Sequence, residues 1–300
     1  MNKKTTKVVN LNRIANFSEF KNKVERYEKR IKMMIGKKGQ PIALTVMIVS
    51  GEKGVGKTYR ATKILEAQKI RKFVIKNSSM SPVEFYRLMW NNPDSIIVLD
   101  DVNSLIQDKN EGAALLKACT DTCAVRKINW QKRNPMCINV SKYDLKTNQA
   151  IADKMLELAK GNKRLVESIN NGEAFPSEFF FNGGIIILTN KPLSVIDDAT
   201  EGALSNRGWH QEMLFSTEGA LDLITNIAKD FTKFNNIPVS KTAVNKVVKF
   251  LNSPNSVRFL KQNNRVPTVR TLGKITLDVM DGNDLNQDTL IEYTEEPAYE

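Results

Sequence analysis

Histidine and cysteine are nearly missing: the 300 residues hold one histidine, His210, and three cysteines, Cys119, Cys123 and Cys137. Three thiols make no paired disulfide framework, and with a single imidazole they make a poor zinc set, so a disulfide-stapled scaffold and a metal or redox centre are set aside. The thiols are expected to be reduced and mostly buried. No run approaches the ~18 consecutive apolar residues of a spanning helix, and the start leads into Asn and Arg instead of the apolar stretch of a signal peptide. A soluble, cytoplasmic protein without membrane contact is expected. There is no internal repeat and no low-complexity tract. Acidic residues are in deficit, 33 Asp+Glu against 45 Lys+Arg, and the resulting net charge of +12 makes a polyanion, nucleic acid before membrane, the first partner to consider.

What is present looks globular. Hydrophobic residues make up 41% and charged residues 26%, and the length suits one large domain with attachments, or two domains. Residues 1–40 carry twelve basic and three acidic side chains, so most of the surplus sits at the front. Within them Ser18 is a candidate cap for a helix to about Ile35, with Phe20, Val24, Tyr27, Ile31 and Met34 at three- and four-residue steps, before a Gly36-Lys37-Lys38-Gly39 break. This segment reads as a packing helix with a solvated face, or as an arm that touches nucleic acid.

From Pro41 the periodicity changes to short apolar runs alternating with helical stretches. Ala43–Ser50, Lys72–Lys76, Ser95–Asp100 and Gly184–Thr189 read as buried strands, with helices at Lys57–Lys69, Ser81–Asn91 and Glu111–Cys123. That alternation predicts an α/β fold, a parallel sheet with helices on both faces. Residues 125–182 interrupt it as an insertion. Val125–Gln131 and Met136–Ser141 are expected to form a hairpin around Arg133-Asn134-Pro135, followed by one helix from about Thr147 to Asn170. Ten basic and four acidic residues lie between 125 and 172. Arg126, Lys127, Lys132 and Arg133 are candidate DNA contacts, and Trp130 among them either stacks a base or packs inside the hairpin. After about Phe215 three helices are expected, Glu218–Phe231, Lys241–Leu251 and Pro267–Met280, then an acidic tail.

Gly51-Glu52-Lys53-Gly54-Val55-Gly56-Lys57-Thr58 fits G-x-x-x-x-G-K-[ST], after one predicted strand and before a helix. Backbone N–H groups of such a loop close around phosphates at a helix N-terminus, Lys57 reaches the β/γ-phosphates, and the Thr58 hydroxyl ligates Mg²⁺. Ser95–Asp101 supplies a second half: an apolar strand ending in Asp100, placed to orient the metal, and Asp101, placed to polarise an attacking water. Gly183–Asn190 is a third buried strand ending in a polar residue, and Asn190 is positioned to hold that water. Arg207 and Arg270 are two further candidates, since a guanidinium matches phosphate oxygens and does not titrate away.

Taken in order, these motifs resemble the AAA+ ATPases over about residues 41–280, and in detail the AAA+ proteins encoded by bacteriophages. The resemblance implies a P-loop NTPase sheet sandwiched by helices with a small C-terminal helical lid. It divides the chain into a basic arm (1–40), a nucleotide-binding core (41–215), the lid (216–282) and an acidic tail (283–300). It also implies Asn190 as sensor 1, Arg207 as a finger offered to a neighbouring subunit, Arg270 as sensor 2, ATP and Mg²⁺ as cofactors, and self-association into a ring or spiral, most often a hexamer. Two features depart from the family: Asp101 stands where Glu is usual, and Asn77–Ser81 lacks the aromatic-Gly pore loop of protein unfoldases.

A GTPase is excluded because Asn190-Lys191-Pro192-Leu193 has Leu where a carboxylate must read guanine. A small-molecule kinase needs neither the lid nor the basic insertion, and a terminase-type packaging ATPase normally carries a nuclease domain for which there is no room. Two readings remain. The favoured one is an oligomeric ATPase acting on DNA, as a helicase, helicase loader or replication factor, with a possible replication protein partner. The other is an ATPase that remodels or switches a protein partner.

Overall fold

The computed structural model describes residues 13–36, 44–69, 72–77, 79–108, 110–123, 125–130, 132–191, 194 and 202–294. Outside them lie the first twelve residues of the basic arm, most of the break that follows Ile35, Pro192-Leu193, and the last six residues of the acidic tail. The chain divides into two compact units, one of residues 27–49 and 57–211 and one of residues 1–26, 50–56 and 212–300. In chain order the elements begin α1 (Phe17–Ile35), β1 (Val46–Gly51), α2 (Lys57–Ala67), β2 (Phe73–Lys76), α3 (Pro82–Asn91) and β3 (Ile96–Asp100). Next come α4 (Asn103–Gln107), α5 (Glu111–Cys119), β4 (Arg126–Asn129), β5 (Cys137–Ile138), α6 (Asn148–Leu158) and α7 (Lys163–Asn170). Then follow β6 (Phe175–Pro176), β7 (Glu178–Phe181), β8 (Gly184–Thr189), α8 (Ala203–Arg207) and β9 (Trp209–Met213).

β1 and β8 are buried at every position and β3 at all but its last. Strands apolar on both faces belong inside a sheet covered on both sides, which is where these lie. Five strands form one sheet in the order β2-β3-β8-β1-β9, with β2, β3 and β8 paired in parallel. β8 therefore separates the strand that leads to the glycine loop from the strand that ends in Asp100. Asp100 lies opposite Leu188, two residues before Asn190, so the register alone brings the polar ends of β3 and β8 together. Helices α3 and α5 cover the sheet through Phe85, Tyr86, Met89, Leu115 and Leu116.

α1 forms as expected, with Phe20, Val24, Tyr27, Ile31 and Met34 all buried. Its cap is Asn16 and not Ser18: the Asn16 side-chain oxygen accepts the Glu19 N–H at 3.0 Å, and the Glu19 carboxylate accepts the Ala15 N–H in return.

The insertion differs from the expected hairpin. β4 pairs antiparallel with β7, fifty residues on, and β5 pairs in parallel with β6. The long-range pairing wins because it buries Ile128, Phe179 and Phe181 in one cluster with Tyr86, which a local hairpin has no partner face to do. The single helix expected to Asn170 is two, broken where Gly161 takes a φ of 92° and the Asn162 side chain caps α7 by accepting from Leu165 N.

In the second unit five helices, α9 (Thr217–Ile227), α10 (Lys241–Leu251), α11 (Pro254–Gln262), α12 (Val269–Met280) and α13 (Gln287–Tyr293), enclose a core of Leu221, Ile224, Val244, Val247, Leu260, Leu272 and Ile275. A short β10 (Lys233–Phe234) and β11 (Ile237–Pro238) form a ribbon between α9 and α10. The helix expected from Pro267 begins two residues later, because Thr268 is its extended N-cap and exchanges a capping box with Thr271. At the front of this unit Ile14 is buried, its N–H donating to Leu214 and its carbonyl accepting from Ser216, and Phe20 packs on Phe215.

Candidate active site

The glycine loop owes its shape to its sequence. Gly51, Gly54 and Gly56 have φ of 143°, 74° and 83°, a region L side chains rarely enter. At Gly54 space is short as well: an added Cβ would sit 3.2 Å from both Arg270 Cγ and Thr268 Oγ1. The first turn of α12 thus lies against the loop, and Arg270 with it. Gly51 has its own constraint, since a Cβ there would run into the Met213 backbone, whose carbonyl accepts the Glu52 N–H at 3.1 Å. Glu52 and Val55 are buried and Lys53 is exposed.

Gly56 is followed in the chain by Lys57, the first residue of α2, and within the larger unit the other selected polar residues come together. Lys57 is only 7% exposed, and its Nζ donates to Asn190 Oδ1 at 3.0 Å. Asn190 Nδ2 donates in turn to Asp101 Oδ2 at 2.8 Å, and Thr58 Oγ1 donates to Asp100 Oδ2 at 2.7 Å. Asp101 is turned toward Asn190 by a φ of 53°, an unusual conformation that Asp tolerates better than most residues, and its N–H is held by the Leu188 carbonyl at 2.8 Å. Five sequence-selected residues from three separate segments thus make three hydrogen bonds, in two sets, at one end of the sheet. Among these groups are a cation, two hard oxygen donors and an exposed carboxylate.

Arg207 does not join them. It ends α8, and its guanidinium donates to the Lys117 carbonyl of α5 at 2.5 Å. Arg126, a candidate DNA contact, is buried: it is 3% exposed, stacks over Phe181 at 5.0 Å, and donates to the Phe181 and Gly183 carbonyls. Its side chain lies along the β4–β7 pair. Cys119 is buried and its thiol is pushed up by burial to about 12, whereas Cys123 is exposed.

One residue of the site escaped the sequence reading. The Tyr27 hydroxyl, fully buried, donates to the Lys57 carbonyl at 2.9 Å. Burial, with the charge of Asp100, pushes that hydroxyl above its ordinary value, so it stays a donor throughout the accessible pH range. Next to it Glu28 pairs with Arg60 at 3.4 Å. Nothing in the apolar stripe of α1 separates a Tyr that fills core from one that also anchors α2. Tyr27→Phe is expected to lower stability by about 1 kcal/mol, one net hydrogen bond, in urea unfolding; an unchanged midpoint would remove the anchor role.

A strand inserted between the loop-bearing strand and the Asp100 strand, a glycine loop opening a helix, and Asn190 at the end of the inserted strand make an α/β arrangement of the P-loop type, the fold class expected from the sequence. No family model matches the chain. An uncharacterized 36.7 kDa protein of Enterobacteria phage T4, from the nrdC-mobD intergenic region, is 36% identical over 89 residues, 28% of this chain and 27% of the relative. Among solved structures, a replication initiator DnaA bound to AMPPCP and single-stranded DNA matches with a TM-score of 0.39 and 14% identity over 90% of this chain and 62% of that one. The Aeropyrum pernix ORC1 protein in complex with DNA matches with a TM-score of 0.42 and 12% identity over 91% and 64%. The chain spans less than two thirds of the length of each of these three. Among the described residues no helix is long and apolar enough to cross a membrane.

Proposed function

We propose that the chain is an oligomeric ATPase that couples ATP binding and hydrolysis to work on DNA. The observation that carries the ATPase part is the linked set Lys57–Asn190–Asp101 beside Thr58–Asp100. A nucleoside triphosphate with Mg²⁺ fits this donor set: two hard oxygens 2.7 Å apart for the metal, a lysine for the phosphates, and a loop that a Cβ at Gly54 would crowd. When bound, the metal–nucleotide pair supplies an electrophilic phosphorus and a neutralised leaving group. The backbone of Gly51, Glu52, Lys53, Gly54, Val55 and Gly56 wraps the phosphates and Lys57 offsets their charge. Thr58 and Asp100 hold the metal. Asn190 orients a water, and Asp101 Oδ2 takes its proton. Arg270, on the helix against Gly54, reads the nucleotide from within the chain. Arg207 serves a neighbouring subunit in a ring or spiral, most readily a hexamer, once its bond to Lys117 is given up.

The DNA part rests on the net charge of +12 and on the twelve basic side chains among residues 1–40. A remodelling role on a protein partner has its own support. Arg126 is buried, Lys127 pairs with Glu178 at 2.7 Å and Lys132 pairs with Glu111, so much of the insertion's basic charge is already engaged. A steep fall of DNA affinity with salt separates the two readings, since only a protein that neutralises several phosphates shows it.

Asp101→Asn is expected to leave the nucleotide dissociation constant within about threefold while lowering kcat by roughly 10²–10⁴, the usual contribution of a positioned base. The amide keeps the shape and still meets Asn190, but it cannot accept a proton. Normal turnover in this variant would move the base role to Asp100 or to another carboxylate.

A further inference from the structure

The insertion encloses a cleft of about 740 Å³ that phosphate chemistry at the glycine loop does not use. Trp130 lines it. Its ring is wedged against Tyr86 and Phe175, at centroid distances of 5.4 and 6.1 Å, so it is held as a rigid plate. Its indole N–H is buried with no hydrogen-bond partner among the described residues, so what the residue offers a ligand is its ring. Asn134 and Asn139 also line the cleft. Their side-chain carbonyls are spent on the local turns, accepting from Met136 N at 2.9 Å and from Ser141 N at 3.1 Å, so what these amides have left is donors. Exposed Lys132 and Arg133 also line the cleft; Lys132 pairs with Glu111 but stays largely exposed, so a phosphate can take that carboxylate's place, and the carboxylate that lines the cleft, Glu178, is held by Lys127 at 2.7 Å.

The cleft therefore offers donors, cations and one fixed aromatic face, and its lining carboxylate is already paired. Its complement is anionic, rich in acceptors and planar. Unpaired nucleotides combine all three, whereas a duplex hides its base faces and a run of acidic side chains has no planar ring to stack. The geometry points to this cleft as the seat of a single-stranded polynucleotide, with a base on Trp130 and flanking phosphates on Lys132 and Arg133. The inference rests on the DNA-directed reading above and names its site and its strand preference.

The test is fluorescence anisotropy of labelled oligothymidylate, oligouridylate, a duplex of equal length and an oligoglutamate, titrated with the full chain across a salt series. Wild type is expected to bind a single strand at least tenfold more tightly than the duplex. Lys132→Ala/Arg133→Ala, at exposed positions and at the loss of one surface ion pair, to Glu111, should flatten the log–log salt slope by about 1.4, two contacts at ~0.7 each for single strands. Trp130→Leu keeps an apolar side chain but removes the aromatic face, and should lower affinity roughly five- to 150-fold, the ~1–3 kcal/mol of one base–aromatic stack, with the slope unchanged. Nucleotide binding should be equal in all three proteins. Tighter binding of oligouridylate would uphold the cleft and contradict the DNA assignment. Equal affinity and slope in the variants, duplex binding as tight as single-strand binding, or preference for oligoglutamate would overturn the cleft. A wild type that binds no polynucleotide overturns both readings, while DNA binding indifferent to these substitutions overturns only this one.

Discussion

Lys57→Ala is expected to weaken ATP binding at least 100-fold and to reduce turnover below detection. Hydrogen bonds to charged groups contribute about 1.5–3 kcal/mol each, and an ammonium set between β- and γ-phosphate makes two of them at a site that is largely shielded. Lys57 is 7% exposed and its head is fixed by Asn190 at 3.0 Å, so it is preorganised for that task. Lys53, the other cation of the loop, is exposed. The substitution also releases Asn190, whose second bond positions Asp101. Equilibrium binding of a fluorescent ATP analogue and phosphate release under saturating ATP check both effects, with thermal unfolding as the control for folding. Unchanged turnover would remove the assignment of the loop.

Arg207→Ala is expected to keep ATP binding and to lose turnover by roughly 10³-fold or more, within the range measured for arginine fingers. The guanidinium sits at the end of α8 on the Lys117 carbonyl, outside the hydrogen-bonded set of its own chain. A finger that serves the next subunit makes specific activity rise with protein concentration, because isolated subunits bind ATP without the arginine that stabilises the transition state. Head-to-tail contacts of this kind are heterologous and close into rings or continue as spirals. Mixing Arg207→Ala subunits, whose pocket is intact, with Lys57→Ala subunits, whose finger is intact, should restore part of the activity each lacks alone. A dead mixture of co-assembled variants, or activity per subunit that is flat on dilution to monomer, would contradict the shared site.

Much of the site was legible because its parts are local in sequence. A glycine loop between a strand and a helix is written in eight consecutive residues, and buried parallel strands announce themselves as unbroken apolar runs, as in Val46–Val49, Ile96–Leu99 and Ile185–Leu188. What was not legible depends on distant pairings. Nothing near Arg126 says that Phe181 will lie opposite it, so an arginine in a basic stretch reads as surface although it is core. For the same reason β4 was matched to its neighbour in sequence and not to β7. The Tyr27 anchor is a third case, since a hydroxyl in the middle of an apolar stripe leaves no periodic trace. Helix α11 was missed at Ser253-Pro254, a pair that reads as a turn until the Ser253 side chain is seen accepting the Ser256 N–H and Pro254 sits at the first helical position, where it needs no N–H partner.

ATP turnover by the full chain, followed as phosphate release with no DNA, with single-stranded DNA and with duplex, tests the central claim most directly. Turnover is expected to depend on Mg²⁺, to rise with protein concentration and to be stimulated by DNA, more by single strands than by duplex. A folded protein that binds ATP and hydrolyses it at one rate regardless of DNA, or that does not hydrolyse it at any concentration, would contradict that claim.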